Sequence, residues 1–230
     1  MFLFLLLFLF LENPAPFLWS SVAFLDKELL ALKSRSSKQI DVYNADDYRT
    51  YCGLITIPVD DAYASFVDMA ACCFYRCLYL ADAHNTCIVR LKLPSELSRW
   101  KVDDIGYDAV ISVTSSHDLL VMCDKSNKLK LFSTDGLLRM TVDLQPDIVN
   151  VTSAVELIPG HYLVTHGKGS DKLHRVCLVN SEGKILRAYG GFKGSYGTLF
   201  DCPKAVAIDG DGFVYVIEER TNRFVVISPH

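Results

Sequence analysis

CLYLADAHNTCIVRLKL, residues 77–93, is the stretch whose reading decides the fold. Two apolar runs flank the polar link Ala83–Thr86, and LYLA is apolar at consecutive positions. In a strand successive side chains point to opposite faces, so such a run must be covered on both sides. The same pattern recurs along the chain. ELLALKSRSSKQIDVYN (28–44), LLVMCDKSNKLKLFSTDG (119–136), YLVTHGKGSDKLHRVCLVNSEG (162–183) and FVYVIEERTNRFVVIS (213–228) are each two apolar runs around a polar link. Asn85 and Asn127 stand 42 residues apart in their links, and Asn222 occupies the last. A further strand-like run precedes each pair (SSVAF, SFVDMAA, DAVISVT, SAVELI, KAVAID), and another follows the first four (YRTYCGLITI, SRWKVDD, LLRMTVDL, ILRAYGG). Four short strands in units of roughly 40 to 50 residues predict a β-propeller blade.

The boundaries that follow are 20–60, 61–105, 106–147, 148–195 and 196–230, with 1–19 a separate hydrophobic segment. Turn chemistry sits where hairpins need it, at Ser133-Thr134-Asp135-Gly136, Asn180-Ser181-Glu182-Gly183 and Asp209-Gly210-Asp211-Gly212. No amphipathic helix is expected, and the chain is all-β. The fifth unit lacks a fourth strand, so nineteen strands are expected rather than twenty. The ring is therefore expected to be incomplete or open, with an exposed edge at Phe224–Ser228. Three explanations stay open: part of a longer propeller (the favoured one), closure by an N-terminal strand, or pairing with a second chain.

FDCPKAVAIDGDGFVYVIEERTNRFVVIS (200–228) resembles an NHL repeat. Pro203 opens its first strand, Asp-Gly forms its first hairpin, and Asn222-Arg223 precedes its third strand. LYLADAHNTCIVRL matches the family's second hairpin, with Asp82 and Asn85 in the family's places. The resemblance covers about residues 20–230, the first, third and fourth units being looser. It implies a propeller like the NHL domains of tripartite-motif proteins, here without RING, B-box or coiled coil, and it implies partner binding through rim loops. Two departures stand out: the expanded fourth link THGKGSDKLHR has no family Asp, and Glu218-Glu219 replaces it in the fifth.

Composition limits the function. The chain is 50% hydrophobic and 22% charged with net charge −4, which excludes general disorder and lacks the basic excess of a phosphate-backbone binder. Met1–Leu11 (MFLFLLLFLFL) is too short to span a bilayer as a helix, and matches the apolar part of a secretory signal without a preceding basic residue. Localisation thus depends on that segment: secreted if it is a signal, cytoplasmic otherwise, with membrane contact only through it. The eight cysteines pair only in an oxidising compartment, and Cys72-Cys73-x-x-x-Cys77 is read as structural rather than a metal cluster.

No catalytic signature is present. Gly190–Gly197 reads as a loop between units. The repeat residues Asp82, Asn85, Asn127 and Asn222 read as structural, since Asx side chains cap tight links. His84, Lys125, Lys128, His166, Lys168, Lys172 and Arg220 fall in or beside the links and are the candidate partner-binding residues. The leading expectation is a non-catalytic scaffold that presents these loops to a protein. RNA binding through a modestly basic rim is the first alternative. A secreted metal-dependent lyase or hydrolase of the NHL-propeller type is the second, with His84, His117, His161, His166 and His174 as the histidines to consider. No cofactor or metal is expected under the leading reading, and self-association through the open edge is a further option.

Overall fold

The computed structural model describes residues 21–32, 34–47, 49–124, 126–192, 200–221 and 223–228. Nineteen strands form five antiparallel sheets, four of four strands and one of three. Blade 1 holds β1 (Ser21–Leu25), β2 (Glu28–Leu32), β3 (Gln39–Asn44) and β4 (Tyr51–Thr56). Blade 2 holds β5 (Phe66–Cys72), β6 (Cys77–Asp82), β7 (Cys87–Lys92) and β8 (Glu96–Lys101). Blade 3 holds β9 (Val110–Val113), β10 (Leu119–Cys123), β11 (Lys128–Phe132) and β12 (Leu138–Asp143). Blade 4 holds β13 (Val151–Ile158), β14 (His161–His166), β15 (Leu173–Asn180) and β16 (Ile185–Phe192). Blade 5 holds β17 (Pro203–Ile208), β18 (Val214–Glu218) and β19 (Phe224–Ile227). No helix occurs among the described residues, and so none there is long and apolar enough to cross a membrane.

The burial follows from the sequence pattern. Second strands are enclosed, with every residue of β6 and β10 buried, whereas fourth strands such as β8 are largely exposed. Strand alternation sends each second strand's side chains to both neighbours. Leu119, Val121 and Cys123 join the core shared with blade 2, while Leu120 and Met122 join the core shared with blade 4. Four such cores lie between successive blades. Six of the eight cysteines are buried, all are unpaired, and burial pushes the Cys87, Cys123 and Cys177 thiols up to about 11. These three behave as small hydrophobes rather than nucleophiles.

First strands face the axis and pack in sequence: β1 on β5, β5 on β9, β9 on β13 and β13 on β17. Polar side chains fasten this inner ring. Ser21 donates to Asp68 at 2.7 Å, and the Ile111 amide donates to the other Asp68 oxygen at 2.8 Å. The Ser112 hydroxyl donates to the Ala154 carbonyl, and the Thr152 hydroxyl to that of Pro203. Enclosure raises the Asp68 pKa above the usual carboxylate range, even against these hydrogen bonds.

Among the described residues β17 does not pack on β1 as the other neighbouring first strands do, and β19 pairs only with β18. Within β19, Phe224 and Val226 are exposed. The segment 1–19, Lys125 and Asn222 lie outside the described residues. One expectation is corrected: Gly190 and Gly191 are not in a loop but end β16. Gly190 takes φ +88, where the backbone passes the Phe200 ring too closely for a Cβ. Residues 193–199 of that stretch lie outside the described residues.

Candidate functional site

The links between second and third strands and the connections between blades lie at one end of the propeller, because antiparallel strands bring both back to the same side. This link face carries the described candidate partner-binding residues, His84, Lys128, His166, Lys168, Lys172 and Arg220.

Each unit from the second onward fastens its link to its own entry loop with an acidic side chain. In blade 2 the Asp82 carboxylate accepts from the amides of Ser65, His84 and Asn85, and the Asn85 amide bridges Asp82 and Asp61. In blade 3 Asp124 accepts from the amides of Gly106, at 2.6 Å, and Asp108. In blade 4 the expanded link supplies Asp171, which accepts from the Lys168 amide and from the Asn150 side chain. In blade 5 the buried Glu218 accepts from the Asp201 amide at 2.7 Å, from Thr221 and from Arg223. Asp82 and Asn85 thus have the structural role expected of them, and Asn127 takes the left-handed backbone (φ 52) that its residue type tolerates. Asp124 was missed from sequence, although the interval from Asp82 repeats that from Asn85 to Asn127. We predict that Asp124→Ala costs roughly 1–2 kcal/mol in a urea titration, the penalty for two amides left without an acceptor at a partly wetted site.

The candidate partner-binding residues separate into groups. His84 is in the link and its ring stacks on the exposed Tyr63 at 5.7 Å. Lys128 pairs with Asp143 at 3.0 Å and Lys168 with Asp108 at 2.8 Å. The Lys168 bond holds Asp108 below the usual carboxylate range. Lys172 and Arg220 are exposed and make no ion pair among the described residues. His166 is corrected: it is not a rim-loop residue but the buried end of β14, with 0% exposure. Its Nε2 accepts from Arg175 Nε at 3.0 Å, and Arg175 also pairs with Asp147 at 2.7 Å. Two of the expected basic rim residues, Lys128 and Lys168, are thus neutralised by neighbouring carboxylates.

His174, Asp201 and Cys202 bring potential ligand atoms within 4.8 Å of one another. His174 is fully buried, and both ring nitrogens are in use: Nδ1 accepts from the Cys202 amide at 2.8 Å, and Nε2 lies 3.1 Å from the Asp171 carbonyl. That pattern fixes the neutral tautomer with the proton on Nε2. A metal ion would have to displace the Cys202 amide, so the donor set fits a structural knot between the fourth link and the fifth blade's entry better than a metal centre.

The opposite end, formed by hairpins between first and second strands, carries exposed aromatic surface at Phe74 and Tyr75 beside His117. Phe74 is 68% exposed and lies flat on His117 at 4.4 Å, with Tyr75 edge-on to both. Arg76 and His117 take positive φ values of 46 and 66 in these two hairpins. Non-glycine residues take that region at a cost.

No family model matches the sequence, and no curated protein matches it. Solved structures do resemble the fold. A protein of unknown function from Bacteroides caccae has a TM-score of 0.63 at 17% identity, over 91% of this chain and 77% of that one. Catalytically inactive virginiamycin B lyase from Staphylococcus aureus with quinupristin gives 0.68 at 10% identity, over 96% and 69%. A chain of a nidogen/laminin complex gives 0.64 at 15%, over 90% and 74%. At such identities the likeness carries the fold alone: the chain is a five-bladed β-propeller.

Proposed function

We propose that this chain is a non-catalytic binding propeller of the NHL type that engages a protein partner. The observation that carries the reading is the Phe74–Tyr75–His117 cluster, three contiguous aromatic side chains held on strained hairpins with Phe74 open to solvent. Exposed, pre-positioned aromatic anchors are what interface hot spots are made of. The NHL assignment is supported by Pro203 at the start of β17, Asp209 in the following hairpin, and Arg223 just before β19. The RNA reading is weakened by the ion pairs of Lys128 and Lys168. The lyase reading draws on the resemblance to virginiamycin B lyase, but His174 has no free nitrogen to offer.

A binding partner isolated on the immobilised protein and then purified should bind directly. Phe74→Ala with Tyr75→Ala should weaken that binding at least roughly a hundredfold without lowering the melting temperature. Unchanged affinity in the double variant removes the hairpin assignment. Loss on Tyr63→Ala with His84→Ala instead moves the binding surface to the link face.

A further inference from the structure

Cys72 ends β5, Cys77 begins β6, and the register sets them directly opposite one another. Their side chains therefore leave the sheet on the same face, and both enter the core shared by blades 2 and 3. Among the described residues no other two cysteines occupy one register position. Both thiols are free and buried, yet the turn that joins them, 73–76, is exposed throughout and carries Phe74 and Tyr75. Cys73 points the other way, with its sulfur beside the Phe24 carbonyl and the Asp26 amide of blade 1.

Directly opposed residues of an antiparallel pair have Cα atoms about 4.5–5.5 Å apart, inside the roughly 4.4–6.8 Å that a disulfide spans. Their Cβ atoms need to approach by no more than about 1 Å, which a small added twist beside the turn supplies. Burial pushes the Cys72 thiol up, as it does those of Cys87, Cys123 and Cys177, so bulky thiol reagents find little thiolate at any of them. What sets Cys72 apart is a second sulfur held opposite it, with both next to exposed chain. A small neutral oxidant can enter where that turn ends. The first sulfur oxidised to a sulfenic acid then meets the thiol facing it and condenses with it.

We infer that Cys72 and Cys77 are a redox-modification site, joined by hydrogen peroxide into a disulfide that closes the base of the Phe74–Tyr75 hairpin. Two S–H bonds and the peroxide O–O bond break, and one S–S bond forms. Each sulfur gives up one electron, the peroxide takes both, and it leaves as two waters that carry the thiol protons. The bond fixes the hairpin at its base whatever the hairpin binds, so the site goes beyond the binding reading and stands apart from it.

The test uses the full chain with Cys52→Ser and Cys73→Ser, which removes the two exposed thiols. Brief exposure to hydrogen peroxide, followed by alkylation in denaturant, should leave two cysteines per chain unlabelled, and dithiothreitol should restore their labelling. Trypsin, which cleaves after Arg76, should release two peptides still joined through Cys72 and Cys77. At that dose Cys87, Cys123, Cys177 and Cys202 should still take the label. In a further Cys77→Ala or Cys72→Ala variant the linked peptides should be lost and every remaining thiol should be labelled. Circular dichroism and a thermal melt of the treated sample check that the propeller is folded while the bond forms. A bond that forms only after melting, a linkage to another cysteine, or oxygen added at Cys72 or Cys77 without a linkage overturns the site.

Discussion

Gly183→Ala is expected to destabilise the propeller by about 3–5 kcal/mol, a large share of the stability of an ordinary domain. Gly183 closes the β15–β16 turn, its amide donating to the Asn180 carbonyl at 2.9 Å. The Asn180 side chain accepts from the amides of Glu182 and Lys184, which fixes the turn. Two costs then add. The residue sits at φ +76, where a Cβ is strained whatever surrounds it. A Cβ there would also stand 1.9 Å from the Asp143 carbonyl oxygen at the end of β12, so blade 4 would have to move away from blade 3. Gly160 supplies the control: it has the same φ of +76 with nothing within 4 Å, and Gly160→Ala should cost only about 1 kcal/mol. Urea titrations of the two variants test the reasoning. Equal losses would mean that the contact between blades contributes nothing.

The Gly136 and Gly183 turns show how far the sequence could be read. Both were legible as turns, because Asp-Gly and Glu-Gly ending a polar link between apolar runs have a local cause. That each also seats the preceding blade, Gly136 under Trp100 and Gly183 against Asp143, was not legible, since that contact depends on how neighbouring blades twist together. The fold itself was written in runs such as LLVMC, whose alternate residues feed two different cores. The candidate site was less legible. Asp82 and Asn85 stand out through the resemblance to the NHL hairpin and Asn127 through its interval from Asn85, an interval that Asp124 shares with Asp82. His166 was misplaced because the expanded fourth link hides where β14 ends: its polar neighbours suggested a loop, whereas the register pairs His166 with Arg175 and Val151. The Phe74–His117 stack joins hairpins of different blades, a proximity no local pattern encodes.

Acidification is expected to remove up to roughly 3 kcal/mol of stability through His166 alone. Burial first, and the Arg175 guanidinium second, push the pKa of this histidine down to about 4. In the unfolded chain it titrates near 6.5. Between those values the unfolded state takes up a proton that the native state refuses, so stability is complete above about 6.5 and falls as the pH drops toward about 4. The geometry explains the refusal. His166 Nε2 accepts from Arg175 Nε, so protonation would both break that bond and place two positive charges side by side in the interior. Asp68 works in the opposite direction: its raised pKa means that the stability it contributes is present in acid and lost as the pH rises through its folded value. Two substitutions therefore separate the terms. His166→Gln, which can still accept from Arg175, should flatten the fall in melting temperature between pH 6.5 and about 4. Asp68→Asn should steepen the loss at low pH. If His166→Gln loses stability on acidification as steeply as the parent protein, the buried histidine is not what makes the propeller acid-sensitive.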